Sequence, residues 1–365
     1  MKIRSCNLEN FRNIGAAALR FDADRVFLVG RNGQGKSNLL EALGLLHAVR
    51  SFRTADLRHL IACGEGRARV YCELLSGGGT VETVLIEIHR TGGRSVVLNG
   101  EKCPALGEFL ARFPSVVLAA EDIGVIRGSP AARRRLFDLH FASVRPGYYA
   151  TLREYYRGLA GRNRLLKTGA GARLLRAHDI PLAELACRLR RERREATAEL
   201  APAFAEIFRD IAAGGDEAEM AIRTASEADE AGDFLRKWES GLERDRLLGS
   251  TQSGPHRDDW VFSAGAGDAR DYASDGQQRN LALALKLALF RDLRNHLGAD
   301  PVLLADDILG ELDSTRKAAF WGSLPAACQV IATGTEFAPP GASRGWEVHR
   351  VEAGTFARIP PDGEA

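Results

Sequence analysis

The pattern that decides the fold is 30-GRNGQGKS-37, which matches G-x-x-x-x-G-K-[ST]. The run before it, 24-DRVFLV-29, is apolar and predicts a short strand, and residues 36–49 have the apolar spacing of an amphipathic helix. In this context glycines let successive backbone N–H groups face a phosphate chain, a Lys reaches the terminal phosphates and a hydroxyl binds Mg²⁺. We therefore predict that Lys36 and Ser37 bind a nucleotide and Mg²⁺.

A second element of the predicted site is 302-VLLADD-307, an apolar run typical of a buried strand that ends in two carboxylates. Taken alone, it is equally well a strand that ends in a solvated turn. Beside a phosphate-binding loop, the favoured interpretation is a hydrolytic site. We predict that Asp306 holds Mg²⁺ and that Asp307 orients or deprotonates the attacking water.

A third element is the polar loop 272-YASDGQQRN-280, which precedes a long apolar helix predicted from residue 275. Ser274 and Gln277 have the S-x-x-Q spacing of a capping box. A helix N-terminus with a Ser hydroxyl and a Gly is also a phosphate-binding face. Such a face would be redundant in the same subunit, so we predict that it closes over the γ-phosphate held by another copy.

Strand and helix patterns alternate along the rest of the chain. The segment 67–100 has strand-like alternation, with Asn99-Gly100 as a hairpin signal, and 122–245 is rich in Ala, Leu, Arg and Glu and predicts helices. Both ends of the chain carry strand–helix pieces, which predicts a single α/β domain closed by its two termini and interrupted by an insertion. The predicted boundaries are 1–120 with 250–365 for this domain, whose β-rich part is about 67–100, and 121–249 for a helical insertion.

Charge is unevenly distributed, although the net charge is only +2. Residues 131–200 carry 16 Lys and Arg against 7 Asp and Glu, whereas residues 201–245 carry 5 against 12. The basic segment is either a solvated helical face or a surface for the DNA backbone, and the absence of a base-reading motif predicts binding without sequence specificity. The candidate DNA contacts lie in its Arg clusters and are Arg133, Arg134, Arg135, Arg190 and Arg191.

The sequence predicts no membrane partner. The start, MKIRSCNLENFRNI, lacks the apolar core of a signal peptide, and no apolar run reaches membrane-spanning length. We therefore expect a cytoplasmic protein.

Taken together, these motifs resemble the bacterial RecF recombination-repair family, a branch of the ABC/SMC-type ATPases. The S-x-G-Q before a helix, followed by an apolar strand that ends in acids, is similar to the ABC signature. GPHRDD together with RGSPAARRR and RNRLLK is specific to the branch. In chain order, the stretches that carry the resemblance are 8-LENFRNI-14, 30-GRNGQGKSNLLEA-42, 51-SFRTADLRHLI-61, 121-ED-122, 126-IRGSPAARRR-135, 162-RNRLLK-167, 254-GPHRDD-259, 276-GQQR-279, 306-DDILGELD-313 and 333-TGTE-336.

The resemblance implies an α/β fold: an ABC/SMC-like P-loop ATPase head with an antiparallel β subdomain and a short helical arm. Its cofactors would be ATP and Mg²⁺, with two ATP molecules bound between two heads. The implied nucleotide residues are Arg12, Gly30, Asn32, Gly33, Gly35, Lys36, Ser37 and Asn38. The implied catalytic residues are Lys36, Asp306 and Asp307, with Ser37 and Asp306 on Mg²⁺. Ser274, Gly276 and Gln277 would act on the other subunit's nucleotide, and Glu311 and Asp313 would form the D-loop.

The implied function is that of an ATP-gated DNA clamp. ATP would drive dimerisation on duplex DNA near junctions with single strands, and a weak, DNA-stimulated ATPase would release it. RecR would be the direct partner, with RecO and RecA downstream. Two alternatives stay open: a nucleotide-stabilised interaction module and a generic ABC/SMC-type ATPase. Three departures from the family pattern predict slow hydrolysis: Asp275 in the signature loop, Ala120 where Pro is usual, and Thr335 where many ABC ATPases have a His.

Overall fold

The structure is a computed structural model, and the residues it describes are 1–76, 78–103, 106–110, 112–212, 217–224, 226, 228–265, 267–310, 313–336 and 345–360. By their contacts the residues form two compact units. The first comprises Met1–Asp122, Asp210–Ala213 and Leu285–Ala365, and the second comprises Ile123–Arg209 and Gly214–Ala284. Residues 250–284 thus cluster with the second unit, whereas the sequence assigned them to the head. As functional domains, the predicted head and arm stay a prediction.

A mixed six-stranded sheet forms the frame of the first unit. Its strands are β3 (Arg25–Val29), β8 (Ser115–Ala119), β11 (Val302–Asp306), β12 (Val330–Gly334), β13 (Trp346–Glu352) and β14 (Thr355–Ile359). They lie in the order β14-β13-β3-β12-β11-β8, and all neighbours are parallel except β13 and β14. The predicted strands at 24–29, at 302–307 and near 329 are confirmed. Because β3, β11 and β12 run in parallel, the loops that follow them meet at one edge of the sheet.

A second, antiparallel sheet lies in the same unit. Its strands are β1 (Lys2–Phe11), β2 (Ile14–Arg20), β4 (Arg67–Leu75), β5 (Val81–His89), β6 (Arg94–Leu98) and β7 (Glu101–Lys102), in the order β2-β1-β4-β5-β6-β7. Burial alternates along β4 and β5, as the sequence pattern predicts for strands with one buried face. Asn99 and Gly100 have φ angles of 50° and 86° and form the predicted two-residue turn between β6 and β7.

The helix after the phosphate-binding pattern, α1 (Lys36–Ala48), is buried on nearly all sides. It packs against β8 and β11 of the mixed sheet and against β1 of the antiparallel sheet. The prediction of an amphipathic helix is therefore wrong, because a helix that lies between two sheets has no solvated face. Two further helices of the first unit lie within the described residues, α2 (Leu106–Phe109) and α11 (Ser314–Gly322).

The second unit is mainly helical, as predicted. Its helices are α3 (Ile123–Arg127), α4 (Pro130–Val144), α5 (Tyr148–Lys167), α6 (Ala172–Ala212), α7 (Ala231–Ser240), α8 (Leu242–Leu248), α9 (Ala269–Tyr272) and α10 (Asp275–Leu297), and the last residues of α6 and α10 belong to the first unit. One part of the predicted helical block is a strand, β9 (Ala218–Arg223), which pairs with β10 (Asp259–Ala264). Its side chains alternate between buried and exposed, which is the pattern of a half-buried strand. No helix in the described ranges is both long and apolar enough to cross a membrane.

Buried arginines hold the second unit together. Among its described residues, four arginine side chains are almost completely inaccessible to solvent: Arg133, Arg162, Arg190 and Arg193. Each forms an ion pair. Arg133 pairs with Asp259, Arg162 with both Asp179 and Asp245, Arg190 with Asp258, and Arg193 with Asp138. Three of the guanidinium groups also lie over aromatic rings, which are Trp238 for Arg162, Phe234 for Arg190 and Trp260 for Arg193. Burial of a charge is tolerated only with such partners, so these ion pairs fix how the helices pack.

Candidate functional site

The loop after β3 needs glycine at Gly30 and at Gly35 for two different reasons. At Gly30, a Cβ atom would collide with the carbonyl oxygen of Val351 in β13. Gly35 caps α1 with φ at 116°, a conformation that side chains disfavour, and a Cβ there would lie 3.1 Å from Asn13 Oδ1. The glycines therefore let the loop pass close to its neighbours while it turns into the helix.

Lys36 is buried at the start of α1, and its ammonium group lies over the loop. Nζ donates hydrogen bonds to the carbonyl oxygens of Gly30 at 2.6 Å and Arg31 at 3.1 Å. An ammonium group has three N–H donors, so these two bonds fix the amine and leave one donor for a phosphate oxygen. The position fits the predicted role of Lys36 on a nucleotide, which stays a prediction.

Ser37 and Asp306 meet at the edge of the mixed sheet, although 269 positions separate them in sequence. The Ser37 hydroxyl donates to Asp306 Oδ1 at 2.8 Å, and the Thr333 hydroxyl donates to the same oxygen at 2.9 Å. Burial raises the pKa of Asp306, and the nearby charges of Asp307 and Glu121 raise that pKa further. The two hydrogen bonds from the hydroxyl groups act in the opposite direction and lower it. A bound cation at this oxygen would favour the ionised carboxylate.

The donor set fits Mg²⁺. This ion keeps several waters and takes one or two protein carboxylates together with substrate phosphates. A site made only of protein ligands would need more oxygen atoms from side chains. Among the described residues no group of three or more His, Cys, Asp or Glu could hold a metal ion. Ser37 and Asp306 thus offer the sparse pair of oxygen ligands that a magnesium–nucleotide site requires.

Asp307 has an unusual backbone conformation directly after β11. Its φ is 56°, in the left-handed region that few residues other than Gly, Asn and Asp occupy. Its N–H donates to the Thr333 hydroxyl at 3.0 Å, so one Thr contacts both the Asp306 carboxylate and the Asp307 backbone. Such conformations cluster at functional sites, and the predicted catalytic role of Asp307 is consistent with this geometry.

Arg12 lies beside the loop that follows β3, but its side chain is paired with a buried acid. Its guanidinium donates to both carboxylate oxygens of Glu41, at 3.0 and 2.8 Å, and Glu41 also accepts bonds from Ser51 and Arg53. Glu41 was missed by sequence reasoning, and its signal is an acid inside the otherwise apolar run of α1. The predicted contact between Arg12 and a nucleotide stays a prediction.

Two of the remaining nucleotide candidates, Asn38 and Gly33, are linked through Asn13. Asn38 donates to Asn13 Oδ1 at 2.7 Å, and Asn13 donates to the carbonyl oxygen of Gly33 at 3.2 Å. Asn32 is exposed on the loop. Asn13, like Thr333, was missed because a single Asn or Thr carries no motif signal.

The signature loop belongs to the second unit and begins α10. Ser274 N–H donates to Gln277 Oε1 at 2.8 Å, and Gln277 N–H donates to the Ser274 hydroxyl at 3.3 Å. These reciprocal bonds confirm the predicted capping box. Gly276 lies in the first turn of the helix. The carboxylate of Asp275, the unexpected residue, is bonded to Arg127 of α3.

Of the two D-loop candidates, Asp313 is described and Glu311 lies outside the described residues. Asp313 is the N-cap of α11, where its carboxylate accepts the N–H of Arg316 at 2.9 Å. Of the other departures, Ala120 begins a short 3₁₀ turn, and Thr335 is exposed after β12.

The predicted DNA contacts need a correction. Arg133 and Arg190 are buried in ion pairs with Asp259 and Asp258, so their guanidinium groups have no surface to offer, and their assignment to DNA is wrong. Arg134 is half-buried and donates to the carbonyl oxygen of Asp258 at 2.8 Å. Arg135 and Arg191 are exposed and stay candidates.

The stretch 254-GPHRDD-259 is structural within the second unit. Asp258 and Asp259 hold the buried arginines, and His256 accepts the Tyr155 hydroxyl at 2.7 Å while its Nε2 contacts the carbonyl oxygen of Thr251 at 3.0 Å. Burial lowers the pKa of His256 to about 4. The imidazole is therefore neutral at pH 7 and offers no charge to a phosphate.

Comparisons with known proteins agree in family and fold. The family described as RecF/RecN/SMC N terminal domain matches residues 2–336. The chain is 35% identical over 373 residues to the DNA replication and repair protein RecF of Anaeromyxobacter dehalogenans, which covers 98% of this chain and 100% of that protein. It is 37% identical over 338 residues to the RecF of Syntrophotalea carbinolica, covering 91% and 92%.

Solved structures extend this likeness to three dimensions. A structure of the recombination mediator protein RecF with ATP, in the RecFOR pathway, has a TM-score of 0.91 at 29% identity and covers 98% of this chain and 97% of that one. A Smc head bound to the C-winged helix domain of ScpA has a TM-score of 0.57 at 16% identity, covers 98% and 97%, and shows the fold alone. The predicted fold class, an α/β ABC/SMC-like ATPase head with an antiparallel β subdomain, is confirmed.

Proposed function

Because the chain belongs to the RecF family of DNA replication and repair proteins, we propose that it is an ATP-dependent DNA-binding protein of recombinational repair. In this proposal ATP brings two copies together on duplex DNA near junctions with single strands, and slow hydrolysis releases them. The observation that carries the proposal is the bond of Ser37 to Asp306, which joins the phosphate-binding loop to the acidic end of β11. Binding alone requires only the loop, whereas the acidic strand end adds the means for hydrolysis.

Each candidate site residue of the first unit has a distinct role in the proposed reaction. Lys36 binds the terminal phosphates, and Ser37 with Asp306 holds Mg²⁺, which would neutralise charge on the phosphates. Asp307 takes a proton from the attacking water or orients it. The Thr333 hydroxyl contacts both the Asp306 carboxylate and the Asp307 N–H and so keeps the two acids in register.

The signature loop completes the site from the other copy. Ser274, Gly276 and Gln277 form a capped helix start, and the N–H groups of such a start favour an anion. Asp313 and Glu311 would lie at the interface between copies. Since each copy supplies both a phosphate-binding loop and a signature loop, a symmetric dimer contains two composite sites.

DNA, RecR, RecO and RecA complete the proposed setting, in the cytoplasm. Support for the mediator role comes from the RecF proteins whose structures belong to the RecFOR pathway. Exposed arginines of the second unit, Arg135 and Arg191, are the proposed DNA contacts. Since they contact phosphates and not base edges, binding is expected to be independent of sequence.

Ser274→Arg tests the shared site. The bulky side chain removes the hydroxyl at the centre of the proposed interface, so we expect ATP-dependent dimerisation to weaken by about tenfold or more. ATP binding by the monomer should be unchanged. Sedimentation velocity with a non-hydrolysable ATP analogue measures the first quantity, and equilibrium dialysis measures the second.

Two further variants make this test specific. Ser240→Arg places the same side chain at another exposed serine of the second unit and should dimerise like the parent chain. Ser274→Asp keeps a capping oxygen, and therefore the helix start, but adds a charge that repels a phosphate. Normal dimerisation of both Ser274 variants would refute the shared site.

Arg135→Ala combined with Arg191→Ala tests the DNA surface. If each arginine contacts one phosphate, the slope of log K against log salt should fall by about 2, and the loss should be equal for unrelated duplexes. Anisotropy titrations at several salt concentrations with ATP measure both. Arg20→Ala with Arg67→Ala removes the same charge from exposed sites of the first unit and is the control. An unchanged slope would exclude the two arginines.

A further inference from the structure

Asp275 poses an electrostatic problem for the proposed signature loop. Its side chain is 83% exposed at the first position of α10, next to Ser274. An acid at a helix N-terminus is favourable within one copy. The same carboxylate would repel a triphosphate that approaches this helix start from another copy.

The positive charge of Arg127 offsets the Asp275 carboxylate. This arginine is the last residue of the short helix α3, and its guanidinium donates from Nη2 to Asp275 Oδ1 and from Nε to Gln278 Oε1. The planar fork of an Arg suits such a double contact, because the spacing of its donors is fixed. One cation thus joins two side chains of the first turn of α10.

The side chain of Gln278 is itself fixed by hydrogen bonds. It is buried, and its amide donates to the carbonyl oxygens of Ala269 at 2.7 Å and Ala273 at 3.0 Å. The amide therefore holds Arg127 at a fixed point, and Arg127 holds Asp275. The resulting chain of contacts runs from α9 through the first turn of α10 to α3, all within the second unit.

We propose that Arg127 is a positioning residue of the signature loop, which neutralises and restrains Asp275 so that the loop can accept the triphosphate of a second copy. This rests on the proposed function, in which Ser274 acts on the other copy's nucleotide. Arg127 acts through Asp275 and does not itself contact the nucleotide. The pair makes an acidic residue compatible with a phosphate-binding face.

The test compares Arg127→Ala, Asp275→Asn and the double variant in the full chain. We expect Arg127→Ala to weaken dimerisation with a non-hydrolysable ATP analogue by about tenfold or more, because the carboxylate is left uncompensated. Asp275→Asn should dimerise at least as tightly as the parent chain. The double variant should return to within about threefold of the parent, because the charge that Arg127 offsets is then absent.

Salt provides a readout that a merely structural role would not move. Because the Debye length falls from about 10 Å at 0.1 M to about 3 Å at 1 M salt, the defect of Arg127→Ala relative to the parent should shrink as salt rises. Arg176→Ala is the matched control, since it removes an exposed Arg that pairs with the exposed Glu239 of the same unit. It should leave dimerisation unchanged.

Several outcomes would overturn the inference. Arg127→Ala that dimerises like the parent would do so, as would a double variant no better than Arg127→Ala or a defect that salt does not reduce. A loss of ATP binding by monomeric Arg127→Ala would show that Arg127 acts on its own copy's nucleotide. Failure of the parent chain itself to dimerise with ATP would instead refute the proposed function, and the inference with it.

Discussion

Asp307→Asn is expected to slow ATP hydrolysis by about 100-fold or more while the protein still binds ATP and dimerises. An amide cannot accept the proton of the attacking water as a carboxylate can. The substitution is otherwise conservative, because Asn tolerates the left-handed backbone, with φ at 56°, that Asp307 adopts. The Asp307 N–H bond to Thr333 is a backbone contact and should remain. Single-turnover hydrolysis and sedimentation with ATP measure the two properties.

Asp306→Asn is the matched comparison for this prediction. It places the same change one residue earlier, where the carboxylate oxygen meets Ser37, so it should weaken Mg²⁺-dependent ATP binding instead of turnover alone. If Asp307→Asn traps dimers on DNA, hydrolysis is the release step. If it leaves turnover and DNA release unchanged, the nucleotide is a static cofactor and the protein is an interaction module.

Asp258→Ala is expected to lower the free energy of unfolding by about 3–5 kcal/mol. Asp258 is inaccessible to solvent and accepts bonds from Arg190 Nη2 at 2.8 Å and Nε at 3.2 Å. Without it the buried Arg190 guanidinium, which lies 4.8 Å from the centre of the Phe234 ring, would keep its bonds to the carbonyl oxygens of Ser226 and Ala228 but would lose its charged partner. Urea unfolding followed by circular dichroism measures the loss.

The control for Asp258→Ala is Glu239→Ala, which removes the acid of the exposed Arg176 pair and should cost about 1 kcal/mol or less. A second variant separates pairing from side-chain loss. Asp258→Ala with Arg190→Met removes both charges and should recover part of the stability. An Asp258→Ala chain as stable as the Glu239→Ala chain would refute the view that this buried pair fixes the second unit.

Local patterns were sufficient to predict much of the first unit. The strand, loop and helix around Lys36 are adjacent in sequence, and the acids of β11 end an apolar run, so each could be recognised without knowledge of its partner. Parallel strands then bring Ser37 to Asp306. Glu41 could not be predicted as the partner of Arg12, because the pairing depends on how α1 packs against β1.

The basic segment of the second unit shows where sequence reasoning fails. Within 188-RLRRERR-194, Arg190 and Arg193 lie on the buried side of α6, whereas Arg188 and Arg191 are exposed. A run of charged residues in the sequence does not show which of them lie on the buried side of a helix and which lie on the exposed side. The acids that tell the two sides apart, Asp258 for Arg190 and Asp138 for Arg193, are 68 and 55 positions away.

The order of strands in the mixed sheet also has a consequence for biosynthesis. Strand β3, which carries the phosphate-binding loop, lies between β12 and β13, whose residues are translated about 300 positions later. At roughly 5–20 residues per second, β3 therefore leaves the ribosome about 15–60 s before either of its neighbours exists. Until β12 and β13 have been synthesised, the strand that carries the loop of Lys36 has neither of its sheet neighbours, so this edge of the mixed sheet forms only late in synthesis.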